Sequence, residues 1–125
     1  MRLLLDTHVY LWWLNDDPRL SPRARESVGD PTSIVHVSAV SAWEAAVKAA
    51  AGRVVLGPVD LIGAIQSNAF IELPITARHA EHAAHLPRLH GDPFDRMLIA
   101  QAQIEDLVLL TYDRNVRAYD VATLS

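Results

Sequence analysis

Hydrophobic positions in this chain fall into short apolar runs separated by amphipathic stretches. Residues 2–5 form the first run, which stops abruptly at Asp6. An amphipathic stretch follows to about Leu14, and Asn15–Asp16–Asp17–Pro18 predicts a turn. Ser21 followed by Pro22 has the form of an N-cap and first helical residue, opening a helix to about Val28. Residues 33–37 (SIVHV) are β-branched and predict a buried strand. Residues 38–51 are alanine-rich and predict a helix stopped by Gly52. Another amphipathic helix is expected over 59–69, then a strand over 70–73 closed by Pro74. Residues 76–85 read as helix, and Asp92–Pro93 opens a long helix to about Glu105. A strand over 107–111 (LVLLT) follows, with a short last strand near 119–121.

Short apolar strands alternating with helices define βαβ units, and hence an α/β fold with a parallel sheet covered on both faces. In such folds ligands sit beyond the carboxyl ends of the strands. With 125 residues, 50% of them hydrophobic, and no repeat or linker, a single domain over 1–125 is expected.

Composition narrows the chemistry. The absence of cysteine excludes disulfides, zinc–cysteine sites and thiol catalysis, and suits a reducing cytoplasm. No apolar run reaches about 18 residues, so no membrane span is expected. The apolar N-terminus is broken by Asp6 and His8, unlike a signal peptide. The net charge of −4 argues against gripping nucleic acid by bulk charge, although ten of the 11 basic residues are Arg, which suits phosphate contact.

Three acids sit where ligands are expected. Asp6 directly follows the first strand, Asp113 lies just past the strand over 107–111, and Glu44 lies within two turns of the helix leaving the second strand. Asp95, in the first turn of its helix, is a fourth. Converging carboxylates need raised pKa values, arginines or a divalent cation to offset their repulsion. Hard oxygen ligands without His or Cys suit Mg²⁺ or Mn²⁺ rather than zinc. Each acid also has a structural reading. Asp6 can cap its helix, Glu44 can pair with Ser41 or Lys48, Asp95 can favour its helix N-terminus, and Asp113 can shape a turn.

The stretches LLLDTHVYLWWL, VSAVSAWEAAVKAAAGRVVL, LPRLHGDPFDRMLIAQA and LLTYDRNVRAYDV together resemble the PIN-domain family, and within it the VapC-like toxins of type II toxin–antitoxin systems. The match runs from Arg2 to about Val121. The resemblance implies a three-layer α/β/α sandwich and a metal-dependent endoribonuclease cleaving RNA. It also implies a homodimer and a cognate VapB-like antitoxin that covers the site. Operator DNA would be met only indirectly, through that complex. The family's metal-site acids fall on Asp6, Glu44, Asp95 and Asp113, and Thr111 matches a small hydroxyl residue often found before the last acid. Asp6 and Asp95 are expected as central ligands, with Asp113 completing the shell and Glu44 orienting or deprotonating the attacking water. Bound Mg²⁺ or Mn²⁺ would neutralise the phosphate and activate that water.

Other residues carry less. Asp92 has the position of an N-cap as well as of a ligand. Arg96 can reach a phosphate, hold Asp95, or be a solvated helix residue. His79, His82 and His85 recur every three residues without an adjacent acid, which reads as a solvated helix face. His90 supports its loop, while His8 either lines the site or caps a helix. Trp12 and Trp13 project about 100° apart on a helix, so at least one is expected to meet a partner chain. The helices over 39–50 and 59–69 offer an apolar groove for the antitoxin.

Two other classes compete. A haloacid-dehalogenase-like phosphatase needs a second Asp where His8 stands, and a receiver domain needs an activating Lys that this chain, with only Lys48, does not place. A non-catalytic interaction module would keep the fold without the activity, and the complete set of four acids argues against it. Those four acids carry as many negative charges as the whole formal excess of −4, so the rest of the chain is formally neutral. The acidic balance is then a property of the metal site.

Overall fold

The computed structural model describes residues 1–125. Twelve elements follow one another: β1 (Arg2–Leu5), α1 (Thr7–Leu14), α2 (Pro22–Gly29), β2 (Ile34–Ser38), α3 (Ala39–Ala50), α4 (Gly63–Ser67), β3 (Ile71–Leu73), α5 (Ala77–Ala84), α6 (Pro93–Glu105), β4 (Val108–Leu110), α7 (Arg114–Arg117) and β5 (Thr123–Leu124). The five strands form one sheet in the order β3-β2-β1-β4-β5, and every pairing is parallel.

The sheet is buried on both faces, which explains its uninterrupted apolar runs. Leu3, Leu4 and Leu5 are all fully buried but point to alternate sides. Leu3 and Leu5 join Val9, Tyr10, Ala24, Val28 and Ile65 in one core layer, under α1, α2 and α4. Leu4 joins Leu98, Ile99, Ala102, Ala83 and Val116 in the other, under α5, α6 and α7. The result is a three-layer α/β/α sandwich. Each buried leucine contributes about 1.5–3 kcal/mol of apolar transfer, and Leu4→Ala would cost about 2–5 kcal/mol with its cavity.

Strand order places the site. From the central β1 the chain runs outward to β2 and β3, then returns to the other side of β1 for β4 and β5. The carboxyl ends of β1 and β4 therefore flank a topological switch point, the usual place for a ligand crevice.

Caps follow the sequence closely. Ser21 accepts the Ala24 N–H at 3.1 Å with Pro22 opening α2, and Gly52 adopts φ 70° just past α3. Three elements differ from expectation. The helix expected over 59–69 is only Gly63–Ser67, with Asp60 accepting the Gly63 N–H at 3.0 Å ahead of it. The last strand lies at Thr123–Leu124 rather than near 119–121, because the backbone of Leu109 and Thr111 bonds to Ala122 and Leu124. Tyr119 is instead a buried packing residue whose hydroxyl donates to the Pro87 carbonyl at 2.9 Å. The turn at Asp113 continues into the helical turn α7. No helix is long and apolar enough to cross a membrane.

Candidate metal centre

Asp6 occupies the residue between β1 and α1. Its Oδ1 accepts the His8 N–H at 3.2 Å and so caps α1, and its Oδ2 accepts the Thr111 hydroxyl at 2.7 Å. Thr111 is fully buried at the end of β4, and its Oγ1 also accepts the Asp113 N–H at 3.2 Å. One hydroxyl thus joins the acid after β1 to the acid after β4. Asp113 caps α7 through Oδ1, which accepts the Asn115 N–H at 2.8 Å.

Glu44 enters from the second turn of α3. It is buried, and its Oε1 accepts the Thr7 hydroxyl at 2.6 Å while Oε2 pairs with Lys48 one turn on. Asp95 enters from the first turn of α6, with its Oδ2 held by His90 Nε2 at 2.9 Å. Asp92 caps α6 through Oδ1, which accepts the N–H groups of Phe94 at 2.8 Å and Asp95 at 3.2 Å.

All five carboxylates line one cavity of about 280 Å³. Two sets have one donor atom per residue lying within 4.8 Å of one another: His90, Asp95 and Asp113, and Glu44, Asp92 and Asp95. Asp95 belongs to both. Asp6 belongs to neither, and sits on the wall tied to Thr111 and His8. Lys48 is the only lysine or arginine in the wall.

Electrostatics reflect this crowding. Burial, then the neighbouring charge of Asp6, pushes the Asp95 carboxyl up to about 7, against the opposing hydrogen bond from His90. Burial also raises Asp6, with the Glu44 charge adding and the Thr111 and His8 hydrogen bonds opposing. Burial works against the Lys48 ammonium, but the Glu44 hydrogen bond and the charges of Glu44, Asp92 and Asp95 outweigh it and raise its pKa. Ionising this set together is costly, and a bound divalent cation removes that cost. The donors are mainly hard carboxylate oxygens, which fit Mg²⁺ or Mn²⁺.

The structural readings and the site readings coincide at these residues. Asp6, Asp92 and Asp113 spend one oxygen on a helix cap, and Glu44 makes its i,i+4 ion pair with Lys48. The sequence did not single out His90 or Lys48 as members of the wall. The signal for His90 lay in its place five residues before Asp95. His8 both donates its N–H to Asp6 and lines the cavity.

Arg96 does not reach the carboxylates. Its guanidinium donates to the carbonyls of Ala83, Leu86, Pro87 and His90 and to the Tyr119 hydroxyl, at 2.9–3.4 Å. It is half-buried, with its Nη donors spent on these acceptors, and it clamps the segment carrying His90 to α6.

The solvated-face reading of the histidines fails at His79, which is buried. Its Nδ1 accepts the Thr76 N–H at 3.1 Å while Thr76 Oγ1 accepts the His79 N–H at 3.2 Å, completing a capping box, and its Nε2 pairs with Glu105 at 2.9 Å. Trp12 and Trp13 both stay partly exposed against one core layer. Trp12 packs 5.3 Å from Tyr112 and Trp13 packs 6.1 Å from Phe70.

A parallel sheet with acids gathered at its switch point defines a class of α/β domains with an acidic crevice at the carboxyl ends of their strands, and comparison with known proteins gives the family. The PIN domain family model matches residues 3–122, and the chain belongs to the PIN domain family. Ribonuclease VapC22 of Mycobacterium tuberculosis is 32% identical over 120 residues, covering 94% of this chain and 91% of that protein. Among solved structures, VapBC2 from Rickettsia felis, bound to a DNA fragment from their promoter, superposes with TM-score 0.68 at 13% identity, covering 99% and 98% of the two chains. FitAcB from Neisseria gonorrhoeae superposes with TM-score 0.62 at 19% identity, covering 98% and 96%. At these identities the structural likenesses establish the fold.

Proposed function

We propose that this chain is a VapC-like endoribonuclease toxin that hydrolyses RNA phosphodiesters with Mg²⁺ or Mn²⁺ and is neutralised by a VapB-like antitoxin. The carrying observation is the sharing of Asp95 between two donor sets in a wall whose only Lys or Arg is Lys48. A cation is the missing counter-charge, and a scissile phosphate is the ligand such a cation attracts. The likeness to Ribonuclease VapC22 supports RNA as substrate, and the VapBC likenesses support the antitoxin. The chain acts as one domain over 1–125 in the cytoplasm, as a homodimer, and meets operator DNA only through the antitoxin complex.

Asp95 would hold the ion together with Asp113 and His90 on one side or Glu44 and Asp92 on the other, the two sets that share it. Asp6, expected as a central ligand, stands on the same wall outside both sets, and His90 would serve as a nitrogen donor or as the partner orienting Asp95. When bound, the ion supplies Lewis acidity toward phosphate oxygens and toward water. The chain's own residues do the rest. Thr111 fixes Asp6 and the start of α7, so the acids after β1 and β4 keep their spacing. Lys48 holds Glu44 Oε2 at the rim, where Glu44 orients the attacking water and takes its proton. Arg96 keeps His90 against Asp95.

The test is a substrate panel. Purified protein, alone and with its antitoxin, is assayed on RNA, single-stranded DNA and a simple phosphate monoester, with and without EDTA. RNA cleavage that needs Mg²⁺ or Mn²⁺, stops in Asp6→Asn protein and is blocked by antitoxin is the expected result. A metal-loaded sample that cleaves nothing would leave the fold as an interaction module.

A further inference from the structure

His8 and Trp12 form a wall shared by two cavities. One is the acidic site. The other, of about 400 Å³, carries Arg19, Arg53 and the carboxylate of Asp17. A strand crossing the wall passes from cations, over an aromatic surface, to the carboxylates.

The aromatic surface is fixed in place. His8 and Trp12 lie one turn apart on α1, on the same side of the helix, with rings 6.4 Å apart. Tyr112 packs 5.3 Å from Trp12. The Tyr112 hydroxyl is itself held, accepting the Ser21 N–H at 3.0 Å and donating to Ser21 Oγ at 3.1 Å. Tyr112 is therefore a fixed neighbour against which the indole packs.

The cation is less firmly held. The Arg19 guanidinium lies over the Trp12 ring, 4.9 Å from its centroid, and forks onto Asp17 through Nε at 3.1 Å and Nη2 at 2.8 Å. The Arg19 side chain is 68% exposed and that of Asp17 21%, so the fork is open to solvent on its arginine side. A phosphate arriving from solvent would draw Arg19 off Asp17 and uncover the indole face for a base. Fixed aromatic faces combined with arginines are how grooves for single-stranded nucleic acid bind without reading sequence.

We infer that the cavity bounded by His8, Trp12, Arg19 and Arg53 is a nucleotide subsite next to the scissile position, where Trp12 stacks the base and the two arginines meet its flanking phosphates. This rests on the ribonuclease reading above. A nucleotide is favoured over a peptide because the cavity adjoins the proposed phosphate-cleaving site and its cations complement a phosphate backbone.

The test uses short single-stranded oligoribonucleotides in which each nucleotide in turn is abasic. Binding is followed by fluorescence anisotropy in an Asp95→Asn background, so that the oligonucleotide is not consumed. One abasic position should weaken binding about 5- to 20-fold when Trp12 is present. The same lesion should have almost no effect with Trp12→Leu, which keeps apolar contact with Tyr112, whereas Trp12→Phe should retain most of the effect. Arg19→Ala and Arg53→Ala should each flatten the salt dependence of binding by a little under one counterion. No coupling between Trp12 and any abasic position, with metal-dependent RNA cleavage intact in the otherwise native protein, overturns the subsite alone. So does a Trp12→Leu protein that loses antitoxin but not RNA. An otherwise native protein that neither binds nor cleaves RNA removes the ribonuclease reading and the subsite with it.

Discussion

Thr111 donates its hydroxyl to Asp6 Oδ2 across 2.7 Å, joining residues 105 positions apart at the carboxyl ends of the two central strands. The same oxygen accepts the Asp113 N–H. No carboxylate contacts the other directly, yet their relative placement passes through one buried hydroxyl.

Replacing that hydroxyl should therefore weaken metal binding without removing a ligand. Thr111→Val keeps the shape but leaves Asp6 Oδ2 and the Asp113 N–H without their partner, and removes a hydrogen bond that opposes the raised pKa of Asp6. Mn²⁺ affinity by calorimetry is expected to fall about 10- to 100-fold, and Thr111→Ser should recover most of it. An unchanged affinity in Thr111→Val would refute the positioning role.

The metal-free fold should be strained by its own site. Unfolded, Asp95 titrates near the ordinary 3.8; folded, it is pushed up to about 7. Between about pH 4 and about pH 7 the folded chain holds a proton that the unfolded chain has released, so Asp95 lowers stability as pH rises through this window. Asp95→Asn removes the effect. Thermal unfolding in EDTA should show the variant more stable than the native protein at pH 7.5, by roughly 4 kcal/mol at most. The gain should vanish near pH 4.

Metal affinity should carry the same signature. Binding requires Asp95 to be ionised, so the ion releases a proton from a group that titrates near 7. Mn²⁺ affinity is expected to drop as pH falls below about 7, well above the range of ordinary carboxylates. Calorimetry in buffers of different ionisation enthalpy would count the proton released. A flat affinity from pH 7.5 to pH 5 would contradict the crowded-carboxylate site.

Arg96 should matter for stability more than for phosphate contact. Its guanidinium donates to four carbonyls and a tyrosine hydroxyl. Arg96→Met keeps the apolar stem but strips these donors. Denaturant unfolding is expected to show a loss of about 2–3 kcal/mol. Arg96→Lys, lacking the planar fork, should recover only part of it.

The sheet was legible because its strands are short apolar runs ended by Asp6, Pro74 and Asp113, and periodicity reports burial on two faces. The acids were legible because strand ends fix where a following carboxylate points. Local pattern did not reveal long-range pairing. Residues 119–121 look as much like a strand as 123–124, and only the backbone of Leu109 and Thr111 decides between them. Nor does spacing distinguish His79, buried against Glu105, from His82 and His85 on the same helix, since helix packing on α6 selects which face is covered. His90 joined the site by a loop closure that Arg96 holds, a contact network with no signature in composition.

The central claim is that the cation held around Asp95 is what enables RNA cleavage. One Mn²⁺ titration measures it, with bound ion followed by electron paramagnetic resonance and RNA cleavage followed in the same samples. Cleavage that rises in step with bound Mn²⁺, disappears with EDTA, and is absent with the bound ion in Asp95→Asn protein is the predicted result. Cleavage that proceeds undiminished in EDTA, or before any ion is bound, would contradict it.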